Sequence, residues 1–490
     1  MQTPRNLLIL ISDEHRRDAM GCAGHPIVKT PHLDALAARG TRFARAYTPS
    51  PMCVPTRAAL ATGRHVHQTG HWDSATPYAG APASWMAHVR EAGREVVSIG
   101  KLHFRSGEDD NGFSQERLPM HVVGGVGWAI GLLRDDPPAY DDAAELAADV
   151  GVGDSSYTEY DRQITADACA WLADPARRTG DGWVAFVSLV SPHYPLCAPE
   201  EFYGLYDPAE MDLPVAYDPA QRPTHPELQN LARFFDYDRY FDAEKMRQAK
   251  AAYYGLTSFM DDCVGQILGA LSDSGQEGET GVLYLSDHGD MMGDHGFWTK
   301  QVMYEASAGV PMILAGPGVA QARVCETPVS LIDVAPTAMG LAGGAAAVAA
   351  QDLPGRSLFE IAGTPDQTGR TAFSEYHDGG STTGAFMVRW DDWKYVAYAR
   401  YPAQLFDLAA DPHELRDLAP AASGDPRLQA AMVEGARRLA EICDPVAVDA
   451  ACFADQAARI AELGGREACR DAFVFNHTPT PAEQAKMSDG

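Results

Sequence analysis

Four apolar runs, each stopping at an ionisable residue, constrain this chain more than any other feature of its sequence. Residues 6–12 (NLLILIS) lead without polar alternation into Asp13, and residues 95–100 (EVVSIG) stop at Lys101 and His103. Residues 183–190 (WVAFVSLV) stop just before His193, and residues 281–286 (GVLYLS) stop at Asp287 and His288. An unbroken apolar run suits a strand covered on both faces, the situation inside a parallel sheet flanked by helices. Capping accounts for one such residue, but not for four strands that each deliver an ionisable group. In open parallel sheets the C-terminal edge of the strands is where ligands bind.

Helical patterns fall between the runs, at 31–39 with Gly40 as its stop, 83–92 with Gly93, 162–174 and 244–271. This alternation predicts an α/β fold with a doubly wound, mainly parallel central sheet. Residues 310–315 read as a further strand, and 332–341 as a helix ended by Gly343 and Gly344. Two long stretches, 105–160 and 199–241, lack sustained periodicity and are expected to be loops that shape a pocket. After Pro354 come short aromatic strands at 372–376, 385–390 and 394–399, with Asp391 and Asp392 in a tight hairpin, and then helices at 426–443 and 446–463. The expected division is a catalytic α/β domain over 1–365, a smaller antiparallel α+β domain over 366–475, and a polar tail over 476–490. Such a tail either frays or orders on a partner subunit, so a homo-oligomer of two or four copies is expected.

The 46% hydrophobic content fills a sizeable core, while 39 basic against 67 acidic residues leave a formal charge of −28. That charge repels nucleic acid and anionic membrane surfaces at long range. An anionic substrate would therefore need cations gathered locally. Arg57, Lys101, His103, His193 and Lys300 all fall at strand ends or in adjoining loops, where they can surround such a group. Nine cysteines with no CxxC pair predict neither a zinc knuckle nor a disulfide framework, but reduced thiols and a cytoplasmic location. The apolar run near the N-terminus is too short for a signal-peptide core or a spanning helix.

Cys53 lies in the proline-rich stretch 47–57 (YTPSPMCVPTR), just before a short helix opened by Pro55 and Thr56 and closed at Gly63. Unpaired N–H groups at a helix N-terminus favour negative charge, and Arg57 adds a full positive one. Asp13 and Asp287, from two strand ends, can converge on one cation with His288 beside them. Carboxylate oxygens suit calcium or magnesium, and the imidazole leaves manganese or zinc open.

The pattern Cys53-x-Pro55-x-Arg57, followed by Ala58-x-x-x-Thr62-Gly63, resembles the signature of the formylglycine-dependent sulfatases of the alkaline phosphatase superfamily. Further segments are similar to that family in the same order: Asp13, Gly100-Lys101-Leu102-His103-Phe104, Ser191-Pro192-His193, the long stretch from Ser286 to Lys300, and Leu405-Phe406-Asp407-Leu408. Glu14 stands where many members have aspartate, His288 where many have asparagine, and Thr56 where serine or alanine is common. The first two departures resemble the bacterial branch that contains choline sulfatases and phosphonate monoester hydrolases.

The resemblance implies an alkaline-phosphatase-like sandwich with a small C-terminal domain. It implies that a formylglycine-generating enzyme oxidises Cys53 to an aldehyde whose hydrate is the nucleophile, held on one divalent metal ion, calcium first, by Asp13, Asp287 and His288. Arg57 then lies near the nucleophile, His193 and Lys300 serve the departing alcohol, and His103 with Lys101 takes the proton that lets sulfate leave. In relatives the segment holding Asp73 and Ser74 approaches the substrate. The expected activity is arylsulfatase-like hydrolysis of a small-molecule sulfuric ester. Its rival is a phosphonate monoester or phosphodiester hydrolase, which the Lys101-x-His103 pair disfavours.

Overall fold

Strand β1 (Asn6–Asp13), buried along its whole length, runs through the middle of an eight-stranded sheet in the computed structural model of the chain. The structure describes residues 3–138, 142–178, 180–472 and 477–488. In chain order the other strands are β2 (Gly40–Phe43), β3 (Glu95–Lys101), β4 (Gln115–Met120), β5 (Trp183–Pro192), β6 (Thr280–Ser286), β7 (Met312–Ala315) and β8 (Arg323–Cys325). They lie side by side as β8-β2-β7-β6-β1-β5-β3-β4. Within this sheet β7 alone is antiparallel to its neighbours; all other pairings are parallel.

Side chains of β1 alternate between two cores, as a period of two requires. Leu7, Ile9 and Ile11 pack with helices Cys53–Thr62, Trp85–Glu91 and Val334–Ala349, whereas Leu8 and Leu10 pack with helices Pro31–Ala38, Ser156–Ala173 and Ala243–Asp273. The sheet is thus covered on both faces, which is why its strands carry no polar alternation. Truncating one of these buried leucines to alanine costs about 2–5 kcal/mol. The stretch 331–349, long and apolar enough to cross a membrane, buries Val334, Ala335, Ala338 and Met339 in the first of these cores.

The four strands that end in ionisable groups, β6, β1, β5 and β3, are consecutive in the sheet. Because they are parallel, Asp287, Asp13, His193 and Lys101 emerge at one edge. Register shifts between Ile11 and Asp13 and between Ile99 and Lys101 re-aim the last residues of β1 and β3 there.

A second sheet follows, antiparallel and in sequence order: β9 (Ala372–Tyr376), β10 (Ala385–Trp390), β11 (Trp393–Tyr398) and β12 (Gln404–Asp407). Asp391 and Asp392 form the expected two-residue hairpin, with Asp391 at φ 42°. One face of this sheet packs against helix Pro426–Ala440; the other shares a core with Leu228, Phe234, Trp298 and Tyr304 of the preceding part of the chain. The four-strand unit is therefore welded to the elements around the site.

Several expectations need correction. The supposed loop 105–160 contains β4, an edge strand (QERLPM) whose mixed exposure hides it from a search for apolar runs. Its last residues begin helix Ser156–Ala173, earlier than expected because Ser155 caps it through the Thr158 N–H. Stretch 199–241 holds the amphipathic helix Pro226–Phe235. The helix from Val334 does leave helical backbone at Gly344 (φ 73°, ψ −177°), as the glycine pair predicts, but a second short helical segment follows it to Ala349. In the tail, helix Pro481–Ser488 lies against β4 of its own chain, the Gln484 amide donating to the His121 carbonyl. Residues 473–476 lie outside the described residues.

Candidate active site

Cys53 is the first residue of the helix Cys53–Thr62, with extended Met52 before it and Gly63 closing it in the left-handed region at φ 67°. Every residue of that helix is buried. Its N-terminus meets the ends of β1 and β6, so that one ligand atom each from Asp13, Cys53, Asp287 and His288 all lie within 4.8 Å of one another. His288 Nε2 stands 3.3 Å from Cys53 Sγ and 3.7 Å from Oδ1 of both Asp13 and Asp287.

Hydrogen bonding shows what this cluster can hold. His288 Nδ1 donates to the Gly289 carbonyl at 3.0 Å, which leaves the Nε2 lone pair directed at the two carboxylates. Each carboxylate is divided in function. Oδ2 of Asp13 takes Arg57 at 3.0 Å and Lys101 at 2.7 Å, and Oδ2 of Asp287 takes Arg57 Nε at 2.9 Å. The two Oδ1 atoms face the imidazole, and that of Asp287 also accepts from the backbone N–H groups of Glu14 at 3.2 Å and His288 at 3.0 Å. Two carboxylate oxygens and an imidazole lone pair converging beside Cys53 form a buried donor set that fits one divalent ion. Burial opposes the charge on Asp13, but Lys101, His193 and Arg57 together hold its carboxyl well below the usual range.

Arg57 is the organiser. Its guanidinium makes four hydrogen bonds, to Asp287, Asp13, the Lys101 carbonyl at 2.8 Å and Ser188 Oγ at 3.0 Å. Neither Arg57 nor Lys101 lines the cavity next to Cys53. Both stand behind the carboxylates and position them, rather than facing an anionic substrate as the sequence led us to expect.

The groups that do face the cavity, of about 140 Å³, are Cys53, His103, His193 and Lys300, together with Ser74 from the anticipated 73–74 segment. Asp73 is turned away, accepting from Gln456 Nε2 at 2.7 Å and from the Ala75 N–H. His193 Nδ1 donates to the Tyr194 carbonyl at 2.7 Å, so Nε2 is free to accept from Lys300 Nζ at 2.8 Å. Asp161, from helix Ser156–Ala173, fixes the approach to this loop by accepting from the N–H groups of Val190 and Ser191, each at 2.7 Å. Lys300 also reaches Glu14 Oε2 at 3.1 Å, so Glu14 is tied to a lysine and burial raises its carboxyl to about 8. Burial works against the Lys300 charge, yet Cys53, Glu14, Tyr194 and Asp13 keep its ammonium well above the ordinary range.

His103 is buried with both ring nitrogens unpartnered. Burial, with Lys101 and Arg57 nearby, lowers its pKa well below the usual value, and it is a neutral imidazole with a free acceptor. Glu14, His103, Thr299 and Gln301 all hold φ between 53° and 79°, so non-glycine backbone strain collects at this site. Burial and Asp13 push the Cys53 thiol up to about 12, where it is no nucleophile at neutral pH.

Two groups of the site left no mark in the sequence. Tyr157, whose ring lies 5.8 Å from Lys101 Nζ and 5.7 Å from the His193 ring, is one. The other is His477, which lines the cavity from the tail.

A sulfatase family model matches residues 5–345, and an N-sulphoglucosamine sulphohydrolase C-terminal model matches residues 293–441. A choline-sulfatase of Rhizobium meliloti is 32% identical over 498 residues, covering 98% of this chain and 94% of the relative. Arylsulfatase K of Homo sapiens is 29% identical over 436 residues, covering 84% of this chain and 78% of the relative. Among solved structures, a phosphonate monoester hydrolase of Agrobacterium radiobacter superposes with a TM-score of 0.68 at 22% identity, over 90% of this chain and 95% of that one. A 2-O GAG sulfatase gives the same TM-score at 22% identity, over 99% and 100% of the two chains. The structures share the fold; the family model and the 32% relative extend the likeness in sequence over the stretch that holds the site. With its strand ends meeting Cys53 as described, the chain belongs to the sulfatase family and is a sulfuric ester hydrolase.

Proposed function

We propose that this protein hydrolyses small sulfate monoesters with an aldehyde formed from Cys53 and a single divalent cation held by Asp13, Asp287 and His288. The observation that carries this reading is the buried convergence of Asp13 Oδ1, Asp287 Oδ1 and the His288 Nε2 lone pair beside Cys53, within 4.8 Å of one another. When present, the modified Cys53 supplies the hydroxyl nucleophile and the cation draws charge from the ester oxygens. Two carboxylates and one imidazole favour manganese, magnesium or calcium over thiophilic ions, once sulfur has been replaced by oxygen at Cys53.

The remaining chemistry belongs to side chains in place. Arg57 and Lys101 keep the carboxylates ionised and aimed. Lys300 donates toward His193 and into the cavity, so this pair supplies the proton and the positive field for the departing alcohol. His103, neutral and unpartnered, takes the proton whose removal releases sulfate. A maturation enzyme that makes formylglycine is part of this proposal, as is a reducing compartment, for which nine free cysteines speak.

The choline-sulfatase relative and the phosphonate monoester hydrolase neighbour define the comparison to make. We expect kcat/KM for an aryl sulfate to exceed that for a phenyl phosphonate monoester by at least tenfold in the matured, metal-loaded protein. The reverse order would overturn the sulfate reading.

A further inference from the structure

The wall of the cavity farthest along the chain from Cys53 comes from the tail. His477 and Thr478 line it, and the Tyr157 hydroxyl donates to the Thr478 carbonyl at 2.7 Å. The His477 ring stands edge-on to Tyr157 at 4.9 Å, and Tyr157 itself reaches toward Lys101 and His193. Tyr157 is thus a strut joining the tail to the catalytic groups. Pro479 and Thr480 are buried, and the helix after them is started by the Glu483 carboxylate, which accepts from the Thr480 N–H at 2.7 Å and its hydroxyl at 2.8 Å. The placement of His477 is therefore held from its C-terminal side.

His477 Nδ1 is buried with no hydrogen-bond partner, and no described residue bonds the other ring nitrogen. An imidazole in a pocket wall that leaves its hydrogen-bonding capacity unused is either a standing cost or completed by a ligand. Apart from the catalytic groups, much of the remaining wall is apolar or aromatic, with Val122, Trp128, Leu146, Phe235 and Tyr237, and its other polar side chains, Ser74, Thr299 and Gln301, are uncharged. No carboxylate lines the cavity among the described residues.

We propose that His477 is a specificity-determining residue: it hydrogen-bonds a polar substituent on the uncharged body of the ester rather than the sulfate, which the cation site and Cys53 take. This inference rests on the sulfate-ester reading and deepens it by naming the leaving group, an aromatic or similarly flat alcohol carrying one hydrogen-bond acceptor or donor. The tail that delivers His477 closes the pocket over that body.

Binding rather than turnover tests it, in a full-length Cys53→Ala background that holds substrate without consuming it. The probes are 4-nitrophenyl sulfate, which carries such a body, and inorganic sulfate, which has none. His477→Ala is expected to weaken 4-nitrophenyl sulfate about fivefold while leaving inorganic sulfate within about twofold, the loss of one hydrogen bond. His477→Phe keeps a ring against Tyr157 without a nitrogen and is expected to match His477→Ala; His477→Gln restores a polar atom near the Nε2 position and is expected to recover most of the affinity. Full affinity in His477→Phe, or equal weakening of both probes in His477→Ala, would overturn the proposal. If the Cys53→Ala parent bound neither probe, the sulfate-ester reading itself would fall, and this inference with it.

Discussion

Replacing Arg57 by methionine removes the fork that holds both metal-site carboxylates while keeping most of the apolar length of the side chain. Arg57 is 2% exposed and its two partners are fully buried, so their charges cannot be handed to water. Breaking a buried ion pair from one side costs about 3–5 kcal/mol. Two pairs break here, yet the sum is not doubled. Asp13 keeps Lys101 at 2.7 Å, and Asp287 keeps the N–H groups of Glu14 at 3.2 Å and His288 at 3.0 Å. The expected loss in a metal-free buffer is therefore about 3–5 kcal/mol, read from urea denaturation of wild type and variant in a chelator. Repeating both curves with saturating Mn2+ adds the linkage term, since a ligand at 100 times its Kd stabilises by about 2.7 kcal/mol. A bound cation neutralises the carboxylate pair that Arg57 no longer serves, so the penalty should shrink by about 1 kcal/mol or more with the metal. A loss below about 1 kcal/mol in the chelator, the size of an exposed ion pair, would refute the clamp, as would an identical penalty with and without the cation.

His193→Ala and Lys300→Ala should each slow alkyl sulfates about 10²–10⁴-fold but nitrophenyl sulfate much less, because only a poor leaving group needs the proton; equal losses on both substrates would remove the acid role. His103→Ala should lower kcat by about 10²-fold or more, with little change in the affinity of inorganic sulfate for the Cys53→Ala protein. Asp287→Asn should abolish stoichiometric binding of Mn2+ measured by calorimetry, and retained binding would move the metal elsewhere. Burial drives the His65 imidazole from the ordinary 6.5 down to about 4, so the unfolded chain accepts a proton that the native protein refuses. That contribution is intact above pH 6.5 and is lost as pH falls toward 4, about 2 kcal/mol of it by pH 5. His65→Phe should accordingly flatten the fall in urea midpoint between pH 7 and 5.

The central sheet was legible because each of its four middle strands is buried on both faces and ends in an ionisable group. Those two properties, both local, placed Asp13, Lys101, His193 and Asp287 at one edge before any coordinates. What escaped was set by partners distant in sequence. Strand β4 is mixed in polarity because it is an edge strand, with half-exposed residues on a border that apolar pattern cannot see. Gly343 and Gly344 signalled the helix end that Gly344 makes, but not the short second helical segment that the alanines after them form. Arg57 and Lys101 were expected at the substrate; their position in the chain was informative, their direction was not, since only the packed site shows that the carboxylates claim their N–H groups. His477 had no signal, because a tail histidine gains meaning only from the pocket it folds over.

In the proposed mechanism Cys53 must be converted, not merely placed. Protein produced with and without a formylglycine-generating enzyme should be compared by the mass of the peptide carrying Cys53 and by turnover of an aryl sulfate in saturating divalent cation. Turnover should rise in proportion to the fraction of chains carrying the aldehyde, and extrapolate to none at full thiol. Undiminished hydrolysis by protein whose Cys53 is entirely unmodified would contradict it.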